Sequence, residues 1–148
     1  ALKYFDLSHH RESNIVFDRE RALDFQGNTG PYIQYTYARL RSILRKQNLE
    51  VRNKKQGTEI DETERNLLVE VLRFPEAVRD SIASYAPNVL TNYVYGLAQM
   101  ANEFYHSHPV AKEEDAGKRA LRLGLVEGVA VTIKRSLYLL GIEAPEEM

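Results

Sequence analysis

Within the stretch GNTGPYIQYTYARLRSILRK, residues 27 to 46, Tyr32, Tyr35, Arg39 and Lys46 follow one another at spacings of 3, 4 and 7. Aromatic rings and cations at such intervals share one side of a helix. There they can stack on unpaired bases and meet phosphates, and each stacked base contributes about 1–3 kcal/mol. At roughly 100° per residue, Ile33, Tyr37, Leu40 and Leu44 fall within about 60° of one another as an apolar stripe. The four Tyr, Arg and Lys positions centre roughly 140° away from it. Between residues 38 and 55, Arg39, Arg41, Arg45, Lys46, Arg52, Lys54 and Lys55 face only Glu50, so a basic strip accompanies the rings. The same pattern also suits tyrosines half-buried against a neighbouring helix and charges on a solvated face. Spacing leaves both readings open.

Other residue types offer less chemistry. His9, His10, His106 and His108 invite a metal reading, yet His9 and His10 are adjacent rather than on one helical face and no cysteine assists. His106 and His108 are expected at a helix end, where a partly charged imidazole suits the dipole and could touch RNA phosphate. Glu113 with Glu114 falls at a helix start and Glu146 with Glu147 in a tail, positions that serve the helix dipole and solubility rather than acid–base catalysis. Glycine-rich phosphate loops are missing, so no catalytic residue is assigned and no cofactor or metal is expected in this chain.

The elements that must carry these residues read as helices. Thr29 can cap, and Pro31 can occupy the first helical position of a helix running to about Gln47. Asp61 with Glu64 three residues later has the form of a capping box ahead of Leu67, Leu68, Val71 and Leu72. Pro75 breaks that helix and begins another, with Ala77, Val78, Ile82 and Tyr85 directed inward. From Asn88 to about Ser107, Leu90, Tyr93, Val94, Leu97, Met100, Ala101 and Phe104 keep 3 and 4 spacing. A last helix spans about Glu113 to Leu140, with Leu125, Val126, Val129, Ile133, Leu137 and Leu140 inward and Gly141 as a stop. Residues 1 to 30 change character often: ALKYFDLS ends a helix, and FDRERALDF suits a short helix capped by Asp18. No segment alternates as a strand does. The expected fold is all-α, a helical bundle of about five helices.

At 148 residues, 43% hydrophobic and 28% charged, the chain has the composition of a single folded domain. No apolar run reaches the roughly 18 residues a membrane span needs, and no secretory signal is read at its start. Zero cysteines exclude disulfides and suit a cytoplasmic setting. The formal net charge of -1 means that any polyanion site must be local.

The segment FQGNTGPYIQYTYARLRSILRK resembles the E-G-N-T-G/A-P-Y-x-Q-Y-x-x-x-R segment of arginyl-tRNA synthetases. Upstream, ALKYFDLSHHRESNIVFD resembles the end of their catalytic region. Downstream, FYHSHPV and the ending LYLLGIEAPEEM resemble the last helices of their anticodon-binding domain. The resemblance covers essentially the whole chain. Gln26 stands where the family commonly has Glu, Pro109 where several members carry a larger residue, and the family's D-A-L-R motif is met as RALR, Arg119 to Arg122.

The resemblance implies the C-terminal part of a class I ligase that attaches arginine to its tRNA using ATP and magnesium, with residues 1–28 ending the catalytic region and 29–148 forming a helical anticodon-binding domain. Neither H-I-G-H nor K-M-S-K-S occurs, so this part binds and does not catalyse. By carry-over, Tyr32, Tyr35, Arg39, Tyr105 and Met148 contact the anticodon loop, and Arg41, Arg45 and Lys46 make weaker contacts to the tRNA backbone. The implied partners are arginine tRNA and the catalytic domain of the same chain, with no DNA and no membrane, in a cytoplasmic monomer. The alternatives are a helical protein-interaction module of the same fold without RNA binding, and the related helical domain of cysteinyl or glycyl synthetases.

Overall fold

A computed structural model describes residues 1–47 and 59–148. Its order is α1 (Leu2–Leu7), α2 (Arg19–Leu23), α3 (Gly30–Lys46), α4 (Glu62–Leu72), α5 (Phe74–Ala83), α6 (Pro87–Ser107) and α7 (Ala116–Leu139). All seven elements among the described residues are helices. The expected helical bundle is therefore observed, with the five expected helices as α3 to α7 and two short ones ahead of them.

Local sequence explains the starts. Thr29 accepts from the Tyr32 amide at 3.2 Å, and Pro31 sits in the first turn, where its missing N–H leaves no bond unmade. The capping box is complete: Asp61 accepts from the Glu64 amide at 2.9 Å, and the Glu64 carboxylate accepts from the Asp61 amide at 3.0 Å. The start of α7 lies later than Glu113, because Asp115 is the residue that caps it, accepting from the Lys118 amide at 2.7 Å.

The long helices α3, α6 and α7 pack against one another, α4 lies across α6 and α7, and α5 rests on α6. Ile33, Tyr37, Leu40 and Leu44 of α3 meet Leu90, Val94, Leu97 and Phe104 of α6 and Val126, Val129, Ile133 and Leu137 of α7 in one core. Tyr4 of α1 is fully buried in that core. Its hydroxyl donates to Asn28 at 2.7 Å and lies 3.1 Å from the Thr91 carbonyl.

The inward stripe expected for the helix begun at Pro75, α5, departs from the structure in part. Ala77 and Val78 are half-buried, but Ile82 is 68% and Tyr85 78% exposed. The helix packs chiefly along α6, and it ends before Tyr85, which turns left-handed at φ 49°. The Ala86 amide then donates to the Ser81 carbonyl at 3.0 Å, closing the helix and throwing Tyr85 outward. Leu68 and Leu72 of α4 are likewise exposed, while Leu67 is buried.

Candidate nucleic-acid interface

Two helices supply the face that the sequence points to. Tyr35 of α3 is 45% exposed and meets Phe25 edge-on, with ring centroids 6.1 Å apart. One turn further along α3, the Arg39 guanidinium lies over the Tyr105 ring of α6, 4.7 Å from its centroid. That stacked pair brings together two residues 66 positions apart in sequence. A guanidinium held over a phenol ring keeps N–H donors free of the ring, available to phosphate or a base edge.

Tyr32 is placed differently from Tyr35. It is half-buried, packs edge-on against Tyr95 of α6 at 5.6 Å, and its hydroxyl accepts from Asn102 Nδ2 at 3.0 Å. Asn102 also donates to Thr36 Oγ1 at 3.2 Å, tying α6 to α3 behind the tyrosines. Tyr95 and Asn102 thus belong to this face, although spacing within α3 gave no sign of them. A tyrosine and an asparagine seven residues apart on the neighbouring helix, facing the same way as Tyr105, were the available signal.

The cations of α3 divide. Lys46 is exposed. Arg41 donates through Nε to Glu146 at 2.7 Å, and Arg45 pairs with Glu147 at 3.3 Å and donates to the Glu146 carbonyl at 3.1 Å. Both arginines therefore have immediate partners in the C-terminal segment. Glu146 is in turn an anchored residue rather than a solubilising one, the role expected for it in the sequence. Hydrogen bonds from Tyr37, then Arg41, hold its carboxyl at about 2, well below the usual carboxylate range. Met148, two residues on, is 60% exposed. Arg52, Lys54 and Lys55 of the expected basic strip, with Glu50, lie outside the described residues.

The histidines and the first acidic pair also differ from expectation. His108 caps the end of α6, stacks on Phe104 and bonds to Asp61 through Nε2 at 2.9 Å, so its partner is a carboxylate rather than solvent or phosphate. Glu113 accepts from Arg122 at 2.6 Å with one carboxylate oxygen and from the Asp115 amide at the start of α7 at 3.2 Å with the other. Arg122 also donates to Glu64 at 2.7 Å, and both of these groups are buried. Asp61, Glu64 and His108 converge, yet each is already bonded within the protein.

A family profile described as "DALR anticodon binding domain" matches residues 33–148, most of the chain, from within the first turn of α3 onward. The chain belongs to the DALR anticodon-binding domain family. In this DALR domain, the motif stands as RALR, and its final arginine is the buried Arg122 that joins α4 to α7. Among curated relatives, the arginine–tRNA ligases of Flavobacterium psychrophilum and Ignicoccus hospitalis are 40% and 42% identical over 148 residues, all of this chain and 24% of each relative. Among solved structures, the Thermus thermophilus arginyl-tRNA synthetase superposes with TM-score 0.88 at 35% identity. The Plasmodium falciparum arginyl-tRNA synthetase does so with TM-score 0.87 at 30% identity. Each covers 99% of this chain and 26% of the other. The chain thus spans about a quarter of the length of the relatives it matches.

Proposed function

We propose that this chain is the anticodon-reading part of an arginine–tRNA ligase and that it binds the anticodon loop of arginine tRNA across α3 and α6. The observation that carries the reading is the pairing of an exposed ring, Tyr35, with the Arg39–Tyr105 stack on the adjoining helix. Unpaired anticodon bases splay out, stack on Tyr35 and the face formed by Tyr32 and Tyr105, and offer their edges to Arg39. Met148 adds an apolar contact. Lys46 supplies salt-sensitive attraction to the backbone, with Arg41 and Arg45 contributing less because the C-terminal segment already engages them.

Binding is the work of this part of the enzyme. In this reading ATP and magnesium belong with the portion of the ligase outside this chain, and Asp61, Glu64 and His108 serve the fold through their bonds to one another, to Arg122 and to backbone amides. The setting that fits is a cytoplasmic monomer carrying its catalytic domain in the same polypeptide.

Titration with arginine tRNA and a non-cognate tRNA at two salt concentrations tests the proposal. A cognate preference that persists at the higher salt is the expected result. Equal binding of both tRNAs that disappears with salt would reduce the face to a non-specific electrostatic surface.

A further inference from the structure

The contacts of residues 142–148 form a directed series. At the start, Gly141 turns left-handed at φ 67°, and the Ile142 amide donates to the Leu137 carbonyl at 2.8 Å, which sends the chain back over the bundle. Gln34 of α3 then donates to the Glu143 carbonyl at 2.7 Å. Three residues on, the Glu146 carboxylate accepts from Tyr37 at 2.6 Å and Arg41 at 2.7 Å on α3, and from Lys134 at 3.2 Å on α7. Last, Arg45 meets the Glu146 carbonyl and the Glu147 carboxylate. As the segment advances from Glu143 to Glu147, its partners advance from Gln34 to Arg45. The segment therefore runs parallel to α3 and delivers Met148 toward the last turn of that helix, where Lys46 is exposed.

Seven residues without regular structure lose much conformational freedom in lying so, and Glu146 is the residue that gathers donors from two helices. Tyr37 is central to this: its ring is buried in the core, so its hydroxyl is a fixed donor. We propose that Glu146 is a positioning residue, whose three-donor latch lays residues 142–148 along α3 and so presents Met148 to the bound RNA. This rests on the reading of the α3 and α6 face as the anticodon site. A pre-ordered segment binds without the entropy cost of ordering at the moment of contact, so the latch acts on affinity without touching RNA itself.

The test compares four forms of this chain: unaltered, Glu146→Ala, lacking Met148, and carrying both changes. Hydrogen–deuterium exchange reports on residues 142–148, and titration reports affinity for arginine tRNA. Glu146→Ala is expected to raise exchange in that segment alone and to lower affinity about tenfold. Loss of Met148 should lower affinity similarly, and the double change should add nothing further, because both remove one contact. Arg41→Gln, which removes one donor, should produce a smaller rise in exchange. Unchanged exchange in Glu146→Ala overturns the latch, as does unchanged affinity. Tighter, more salt-dependent binding overturns it too, by revealing the segment as a cover over Arg41 and Arg45. Tyr35→Ala separates the two levels: if it weakens binding while Glu146→Ala does not, the latch alone fails, and if neither does, the anticodon reading fails.

Discussion

Tyr32 and Tyr35 lie one turn apart on α3 and meet different surroundings, so their replacement has different consequences. Tyr35 meets Phe25 edge-on and is 45% exposed, and Tyr35→Ala should leave thermal stability within about 0.5 kcal/mol. Its loss should appear in binding, at about 1–3 kcal/mol for one stacked base. Tyr32→Ala removes both the edge contact with Tyr95 and the acceptor for Asn102, so it should destabilise the fold by about 1–3 kcal/mol as well as weaken binding. Urea unfolding of the two variants beside tRNA titration checks this split. The helical wheel separated both rings from Ile33, Tyr37, Leu40 and Leu44, all of which are buried. It could not separate the rings from each other, because what half-buries Tyr32 comes from α6, more than sixty residues away.

Among the elements, α4, α6 and α7 are joined by charges buried where their ends meet. Glu64 closes its own capping box with one carboxylate oxygen and accepts from Arg122 with the other. Arg122 further reaches Glu113 and the Pro109 carbonyl, and His108 holds Asp61 beside them. Taking away one member strands the rest out of water, so Arg122→Met should cost about 3–5 kcal/mol in denaturant unfolding. Replacing Glu64 and Arg122 together by apolar residues should recover much of that loss, since no buried charge is then left alone. The capping box itself was legible in the sequence, as were the proline starts, because those signals act within one turn. The partnership of Glu64 with Arg122 was not, since Glu64 reads as a cap and nothing within one turn of Arg122 points to a carboxylate 58 residues away. In α5, a helix the sequence does announce, the inward placement of Ile82 and Tyr85 departs for a related reason: periodicity marks an apolar side but not whether a neighbour covers it.

For the molecule as a whole, a formal charge of -1 conceals how its charges are arranged. Because Arg41 and Arg45 are engaged by the C-terminal segment, Lys46 carries more of the attraction to phosphate among the described cations of α3. Lys46→Ala should reduce the salt slope of tRNA binding by about one, with little change in cognate preference. Acid acts on the same region through Glu146. Its carboxyl sits at about 2 in the fold against an ordinary 4.5. The latch is therefore fully present above about pH 4.5 and is lost as pH falls through about 2. A carbon-detected NMR titration of Glu146 should place its midpoint there, and Arg41→Gln should move that midpoint upward.

The buried Tyr4 has a mechanical consequence. Its ring lies against Gly30, where even an added Cβ would come within 3.1 Å of the tyrosine's own, and its hydroxyl is bonded both to Asn28 and to the backbone of α6. Torque applied to α1 is thereby carried into the first turn of α3 with little slack. The turn that carries Tyr32 is thus pinned at Tyr4, while Ile33, Tyr37, Leu40 and Leu44 hold the rest of α3 in the core. The rings that would receive bases therefore stand on a mount fixed at its root and along its length.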